Sequence, residues 1–166
     1  LHEIIPLIPE EVSIYVEPFV GGGAVVFEYQ PKTAIINDLN EELINVYKVI
    51  KESPEKLIEI LTVHQENNSK DYFYEIRALD RVEDFSERLS NIERAARTIY
   101  LNKTCYNGLY RVNSKGQFNT PFGRYKNPKI VDETVIYAMS SYFNNNDIKI
   151  MNADYKEALK NLDNKS

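Results

Sequence analysis

Two short stretches near the start of this 166-residue chain carry residue types that could do chemistry: Glu17-Pro18-Phe19-Val20-Gly21-Gly22-Gly23 and Asn37-Asp38. Consecutive glycines let a backbone approach a ligand where a Cβ would collide with it. A carboxylate such as Asp38, at the end of the next strand, is placed to accept hydrogen bonds from both hydroxyls of a ribose. The glycines do not spell the dinucleotide pattern, because Val26 stands where a further glycine is expected, and no Gly-Lys-Ser/Thr makes a phosphate loop. Glu17 would repel a pyrophosphate but could attract an ammonium or hold structured water. A nucleoside with a positive centre suits this set, and S-adenosylmethionine, with its sulfonium and ammonium, is one. The plain alternative is a turn that serves only strand–helix packing.

A second chemistry is electrostatic. From Arg94 to Lys129 there are eight basic residues (Arg94, Arg97, Lys103, Arg111, Lys115, Arg124, Lys126 and Lys129) and no Asp or Glu. The net charge of −5 therefore conceals a segregation, with 12 basic against 25 acidic residues in the rest. A one-sign segment in an acidic protein is the footprint expected of a polyanion-binding face.

The elements that must position these residues follow from periodicity. Tyr15 to Glu17 reads as a strand, Ala24 to Tyr29 as a helix, and Ala34 to Ile36 as a second strand ending in the acidic turn. Such a unit puts a ligand at the carboxyl ends of parallel strands. Leu1 to Glu11 reads as the end of a short helix. Asn40 caps a helix whose face carries Leu43, Tyr47 and Ile50. Pro54 restarts a helix with Leu57, Ile60, Leu61 and His64 on one side, and Lys70 to Leu79 follows. A polar break spans Asp80 to Ser86. Ile92, Ala95, Ala96, Ile99 and Tyr100 pattern the next helix. Two short strands flanking Asn113-Ser114-Lys115-Gly116 read as a hairpin. Val131 to Tyr142 is helical, Asp147 to Met151 is a third strand, and a last helix starts at Lys156. The excursion between the second and third strands is too long for a simple crossover. The expected division is 1–53, 54–145 and 146–166: a first part of a sheet domain, an inserted helical and hairpin subdomain, and a return to the sheet.

Composition bounds the class. Apolar residues at 43% and charged residues at 27% are values of a globular domain. No apolar run reaches the length of a membrane span, and none reads as a signal peptide. Cys105 is single, so no internal disulfide is possible and a reducing cytoplasm is the natural setting. His2 and His64 with one cysteine make no metal constellation. The chain has no initiator Met, so it reads as beginning inside something longer or as lacking its true start.

Glu17-Pro18-Phe19-Val20-Gly21-Gly22-Gly23 with Asn37-Asp38 resembles the cofactor motif of DNA adenine-N6 methyltransferases whose target-recognition domain lies inside the catalytic domain. Asn107-Gly108-Leu109-Tyr110-Arg111 with Phe118-Asn119-Thr120-Pro121-Phe122-Gly123-Arg124-Tyr125-Lys126 is similar to that family's recognition hairpin, nearest to the enzymes that methylate adenine in GATC. The resemblance implies an α/β fold: a partial Rossmann-like S-adenosylmethionine-dependent sheet with an inserted DNA-recognition subdomain. It implies that Glu17, Pro18, Phe19, Gly21 and Gly23 wrap the methionyl part of S-adenosylmethionine and Asp38 holds its ribose. Asp154 would accept from the cofactor's adenine amine and Tyr155 would cover that ring, where the family often has Phe. Capping the last helix is the alternative role for Asp154. Arg111 would pair with a guanine edge in duplex DNA or, alternatively, contact a phosphate. Tyr106, Asn107, Leu109, Pro121 and Tyr125 match base-contacting or intercalating positions, with Leu109 and Phe122 open to a core role instead. Arg124, Lys126 and the other lysines would meet phosphates.

The family holds its flipped adenine with an Asp-Pro-Pro-Tyr turn after a fourth strand, and neither that tetrapeptide nor the family's N-terminal Lys-Trp-x-Gly-Gly-Lys-like motif occurs here. The implied sheet order is 3-2-1-4-5-7-6, of which this chain would supply strands 1 to 3. The edge of strand 1 would then be open to the missing part of the same enzyme or to a second chain. The expectation is a cofactor shell and a DNA reader that alone is inactive. A non-catalytic DNA-binding module is the alternative, and an RNA or protein methyltransferase a further one.

Overall fold

A computed structural model describes residues 3–9 and 11–160. It divides into two compact units, residues 1–52 with 137–166, and residues 53–136. The second boundary falls inside a helix, between Ile136 and Tyr137.

The first unit is α/β. Its three strands, β1 (Tyr15–Glu17), β2 (Thr33–Asn37) and β3 (Asp147–Met151), form a parallel sheet in the order β1-β2-β3. Glu17 pairs in register with Ile36, and Ile36 in turn with Ile150. β2 is central and buried from Ala34 to Asn37, which is why its sequence is a continuous apolar run rather than an alternation. Helices α1 (Ala24–Tyr29) and α2 (Glu41–Glu52) belong to this unit. The Asn40 side chain caps α2 by accepting the Leu43 N–H at 3.2 Å. Buried Ile36, Ile44, Ile50, Val26 and Phe143 make the core, each worth roughly 1.5–3 kcal/mol of apolar burial. Phe27 packs among Tyr47, Tyr142 and Phe143 with ring centroids 5.6–6.2 Å apart. Among the described residues, β1 has β2 as its one strand partner.

Before β1 there is one 3-10 turn, Ile5–Leu7, rather than the tail of an α-helix. Pro6 has no N–H to give and sits where only a first turn tolerates it.

The second unit is helical with a small irregular lobe. It contains α3 (Pro54–Glu66), α4 (Lys70–Ala78), the single turn α5 (Phe85–Arg88) and α6 (Asn91–Thr104). α7 (Glu133–Asn145) begins here and ends in the first unit, before β3 and α8 (Tyr155–Leu159). α6 starts at a complete capping box: Ser90 Oγ accepts the Glu93 N–H while Glu93 Oε2 accepts the Ser90 N–H. Leu57, Leu61, Phe73, Ala95, Ala96, Tyr100 and Leu101 are its core. The expected break from Asp80 to Ser86 is partly ordered, as a 3-10 turn over Leu79–Arg81 followed by α5.

The expected hairpin strands are also reduced. One antiparallel bridge, Val112 to Phe118, stands where two strands were expected. The turn is closed by side chains: Asn113 Oδ1 accepts the N–H groups of Lys115 and Gln117, at 2.9 and 3.0 Å. An Asx turn of this kind competes with ladder pairing for the same backbone groups. Among the described residues, no helix is long and apolar enough to cross a membrane.

Candidate functional site

In the first unit the three parallel strands end together, and their ends are tied by side chains. Asn37, fully buried, donates from Nδ2 to Pro18 O at 3.0 Å and to Ala153 O at 2.9 Å, and accepts the Ala153 N–H at 3.0 Å. One amide thus joins the segments that follow β1 and β3 to the end of β2. Asp38 comes next: its Oδ2 accepts the Gly21 N–H at 3.0 Å and its Oδ1 the Asn40 N–H at 2.9 Å. The Tyr47 hydroxyl donates to Gly21 O at 2.6 Å. Burial, with the Glu17 and Asp38 charges adding to it, pushes the Tyr47 phenol up, so it stays a neutral donor.

Gly21 has φ +48, a left-handed conformation that glycine takes without strain. A Cβ at Gly21 or Gly22 would meet nothing within 4 Å, so the turn presents open backbone. Glu17 accepts the Tyr15 hydroxyl at 3.0 Å. Burial raises the Glu17 carboxyl above its ordinary value, against the lowering effect of hydrogen bonds from Tyr15 and the Val26 backbone. Phe19, 66% exposed, and Tyr155, 39% exposed, lie with ring centroids 5.6 Å apart beyond the ends of β1 and β3. Asp154 caps α8, its Oδ1 accepting the Lys156 N–H at 2.9 Å.

The second unit gathers the other candidates on one lobe. Chain following α6 pairs back on itself: Tyr106 N–H to Pro121 O at 2.8 Å, Gly123 N–H to Thr104 O at 2.8 Å, and a bridge from Cys105 to Phe122. At Gly123 a Cβ would stand 2.6 Å from the Cys105 carbonyl oxygen, which is backbone and cannot yield. Asn107 and Gly108 turn the chain with positive φ, and Arg124 does the same at φ +55. Tyr106, Asn107, Leu109, Arg111, Pro121, Arg124, Tyr125 and Lys126 are all exposed. Leu109 is therefore no core residue, whereas Phe122 is half-buried, its ring tilted against Phe73 with centroids 5.3 Å apart.

The basic segment needs correction. Arg94 and Arg97 are buried and take no part in an exposed face. Arg97 pairs with Asp80 at 2.8 Å and donates to the carbonyls of Ile76 and Arg77 at the end of α4, with the Phe85 ring 5.0 Å away. Lys129 is paired with Asp132 at 2.6 Å. Lys103, Arg111, Lys115, Arg124 and Lys126 remain as exposed cations. Counting charges along a sequence does not see that a guanidinium can cap carbonyls inside a fold.

A family model for D12 class N6 adenine-specific DNA methyltransferases matches residues 1–166. The chain belongs to that family. It is 54% identical over 154 residues to the type II methyltransferase M1.LlaDCHI of Lactococcus lactis subsp. cremoris, a match covering 93% of this chain and 54% of that protein. It is 43% identical over 159 residues to the type II methyltransferase M.MjaIII of Methanocaldococcus jannaschii, covering 87% and 53%. It is 38% identical over 125 residues to the DNA adenine methylase of Serratia marcescens, covering 74% and 44%. The chain thus spans about half the length of the curated relatives it matches.

For an N6 adenine methyltransferase of this class, the strand-end cluster fits S-adenosylmethionine by its donor set. It offers open glycine backbone, a carboxylate anchored at the turn, a second carboxylate at Glu17 and two exposed rings. Asn37 and Tyr47, which organise this cluster, carried no role in the sequence reading beyond motif text and a helix face. A polar residue ending an otherwise apolar strand, and a buried phenol that must find an acceptor, were the available signals.

Proposed function

We propose that the protein carrying this chain transfers a methyl group from S-adenosylmethionine to the N6 amine of adenine in duplex DNA, within GATC. The observation that carries this reading is the convergence of Glu17, the Gly21-Gly22 backbone, Asp38 and Tyr155 at the carboxyl ends of three parallel strands, in a chain of this family. Asp38 holds the ribose with lone pairs that remain after its two backbone contacts. Glu17 through Gly23 wrap the methionyl part. Asp154 and Tyr155 receive the cofactor's adenine.

The adenine amine is a weak nucleophile because its lone pair is delocalised into the ring. Flipping the base out brings it against aromatic and acceptor groups, which draw on its N6 hydrogens. When bound, the cofactor supplies an electrophilic methyl on sulfur. Transfer would join that methyl to N6, leave the cofactor as a neutral thioether, and release the N6 proton to solvent. The Asp-Pro-Pro-Tyr acceptors that the family uses are not among these 166 residues, so we assign them to sequence beyond this chain.

Arg111 reads a guanine edge, the commonest specific contact in the major groove. Tyr106, Asn107, Leu109, Pro121 and Tyr125 contact or wedge between bases, while Arg124 and Lys126 meet phosphates. The names of the relatives, type II methyltransferases and a DNA adenine methylase, support the substrate class.

Duplex binding at several salt concentrations tests the reader. Lys126→Ala is expected to weaken all duplexes alike and to reduce the salt slope by about one. Arg111→Ala is expected to cost about 1–3 kcal/mol on a GATC duplex and little on one lacking that G·C pair. Equal losses on every duplex would make Arg111 a phosphate contact.

A further inference from the structure

The recognition lobe has two edges. Its inner edge pairs with itself: Asn119 N–H donates to Arg111 O at 3.0 Å, Asn113 N–H to Gln117 O at 2.9 Å, and Thr120 Oγ1 to Leu109 O at 2.6 Å. The outer edge, residues 117 to 120, faces no strand among the described residues, yet its backbone is not left to solvent. Asp80 Oδ2 accepts the Phe118 N–H at 2.8 Å, and the Arg81 guanidinium donates to Phe118 O. Gln117 Nε2 reaches Asp80 O at 3.4 Å, and Arg77 donates to Thr120 O at 3.2 Å.

Side chains from the end of α4 and its 3-10 turn therefore do what a neighbouring strand would do, satisfying both backbone groups of Phe118. The clamp is itself anchored. Both Asp80 oxygens are engaged, Oδ1 by Arg81 and Oδ2 by Arg97 as well as Phe118, and Arg97 is 5% exposed at its side chain. Phe118 is buried, its ring 5.6 Å from Tyr110.

We propose that Asp80 and Arg81 are positioning residues for base recognition: they fix Phe118, Phe118 fixes Asn119, and Asn119 holds the backbone of Arg111. The proposal rests on the reading of Arg111 as a base contact. It explains why an exposed, minimally paired lobe can aim one guanidinium at one base edge. Such aim needs a supporting shell that holds the reader within a fraction of an ångström.

Asp80→Ala is a poor test, because it strands the buried Arg97 charge and endangers folding. Arg81 is 32% exposed at its side chain, and its loss leaves Asp80 paired with Arg97. The experiment uses the protein that carries this chain, with a GATC duplex and a duplex in which the G·C pair is replaced by A·T. Binding is measured across salt for wild type, Arg81→Ala, Arg81→Lys and Arg111→Ala.

Arg81→Ala is expected to lower the ratio of the two affinities by at least about tenfold, the scale of one good base contact, with the salt slope and thermal midpoint nearly unchanged. Arg81→Lys, which keeps a donor for Phe118 O, restores part of the ratio. An unchanged ratio in Arg81→Ala, or an equal loss on both duplexes, overturns the proposal. If Arg111→Ala also keeps the full ratio, the base-reading assignment fails first and the positioning role falls with it.

Discussion

Asp38 Oδ2 and the Gly21 N–H are joined at 3.0 Å, so the acid we propose for a ribose is already tethered to the glycine turn. The same turn is held from its other side by the Tyr47 hydroxyl on Gly21 O, at 2.6 Å. Turn and acid form one prearranged unit. Asp38→Ala is expected to weaken S-adenosylmethionine by about 1.5–3 kcal/mol, the range for a charged hydrogen-bond partner. Tyr47→Phe removes the contact to Gly21 O and is expected to cost about 1 kcal/mol or less. Calorimetry on both variants decides the order, and an unchanged affinity in Asp38→Ala removes that residue from the site.

Asn37 is the structural knot beneath this site. Asn37→Ala leaves Pro18 O and both backbone groups of Ala153 without the partners they now have, around a side chain that is itself fully buried. Loss of buried partners on this scale is expected to cost roughly 2–4 kcal/mol in urea unfolding. A loss under about 0.5 kcal/mol, the size of an ordinary surface change, would mean that water replaces the amide.

Glu17 should oppose folding at neutral pH. Its folded carboxyl titrates above the ordinary value, so the folded state holds its proton where the unfolded chain has released it. The stability this gives is complete below the unfolded value of about 4.3 and is lost as pH rises through the folded one. Glu17→Gln is therefore expected to raise the urea midpoint at pH 7 and to weaken cofactor binding. A lower midpoint at pH 7 would mean that the ionised carboxylate is stabilised where it sits.

His64 acts with the opposite sign. It is buried in the second unit, its Nδ1 2.7 Å from the Tyr72 hydroxyl and its ring stacked 5.0 Å from Tyr100. Burial holds the imidazole below its ordinary value, so the unfolded chain binds the proton first. Stability is full above about pH 6.5 and falls as pH drops through the folded value. His64→Phe should flatten the pH dependence of the unfolding midpoint between about pH 7.5 and 5.5, within about a unit of the ordinary value. The same slope in mutant and wild type would assign it to other groups.

Much of the fold was legible because local signals agreed. The pattern from Tyr15 to Asn40 marked β1, α1 and β2 within a residue or so, and Asp147–Met151 marked β3 as it stands. At the strand ends, Glu17 and Asp38 could be named because strand polarity brings them to one end, whereas Asp154 was named only through the family resemblance. Long-range polar contacts were not legible. Asn37 reaches Ala153 across more than a hundred positions, and Asp80 reaches Phe118 from a stretch read as a mere break. Arg94 and Arg97 looked like the start of a cationic face because charge is visible in a sequence and burial is not.

Labelled methyl transfer tests the central claim most directly. The protein carrying this chain and the 166 residues alone are each incubated with methyl-labelled S-adenosylmethionine and a GATC duplex, and the nucleosides are separated by mass. The expected result is label in N6-methyladenine with the whole protein, none when the GATC adenine is replaced, and no turnover by the 166 residues alone. Label on another base, no label in any duplex, or sustained turnover by the 166 residues alone would contradict the account.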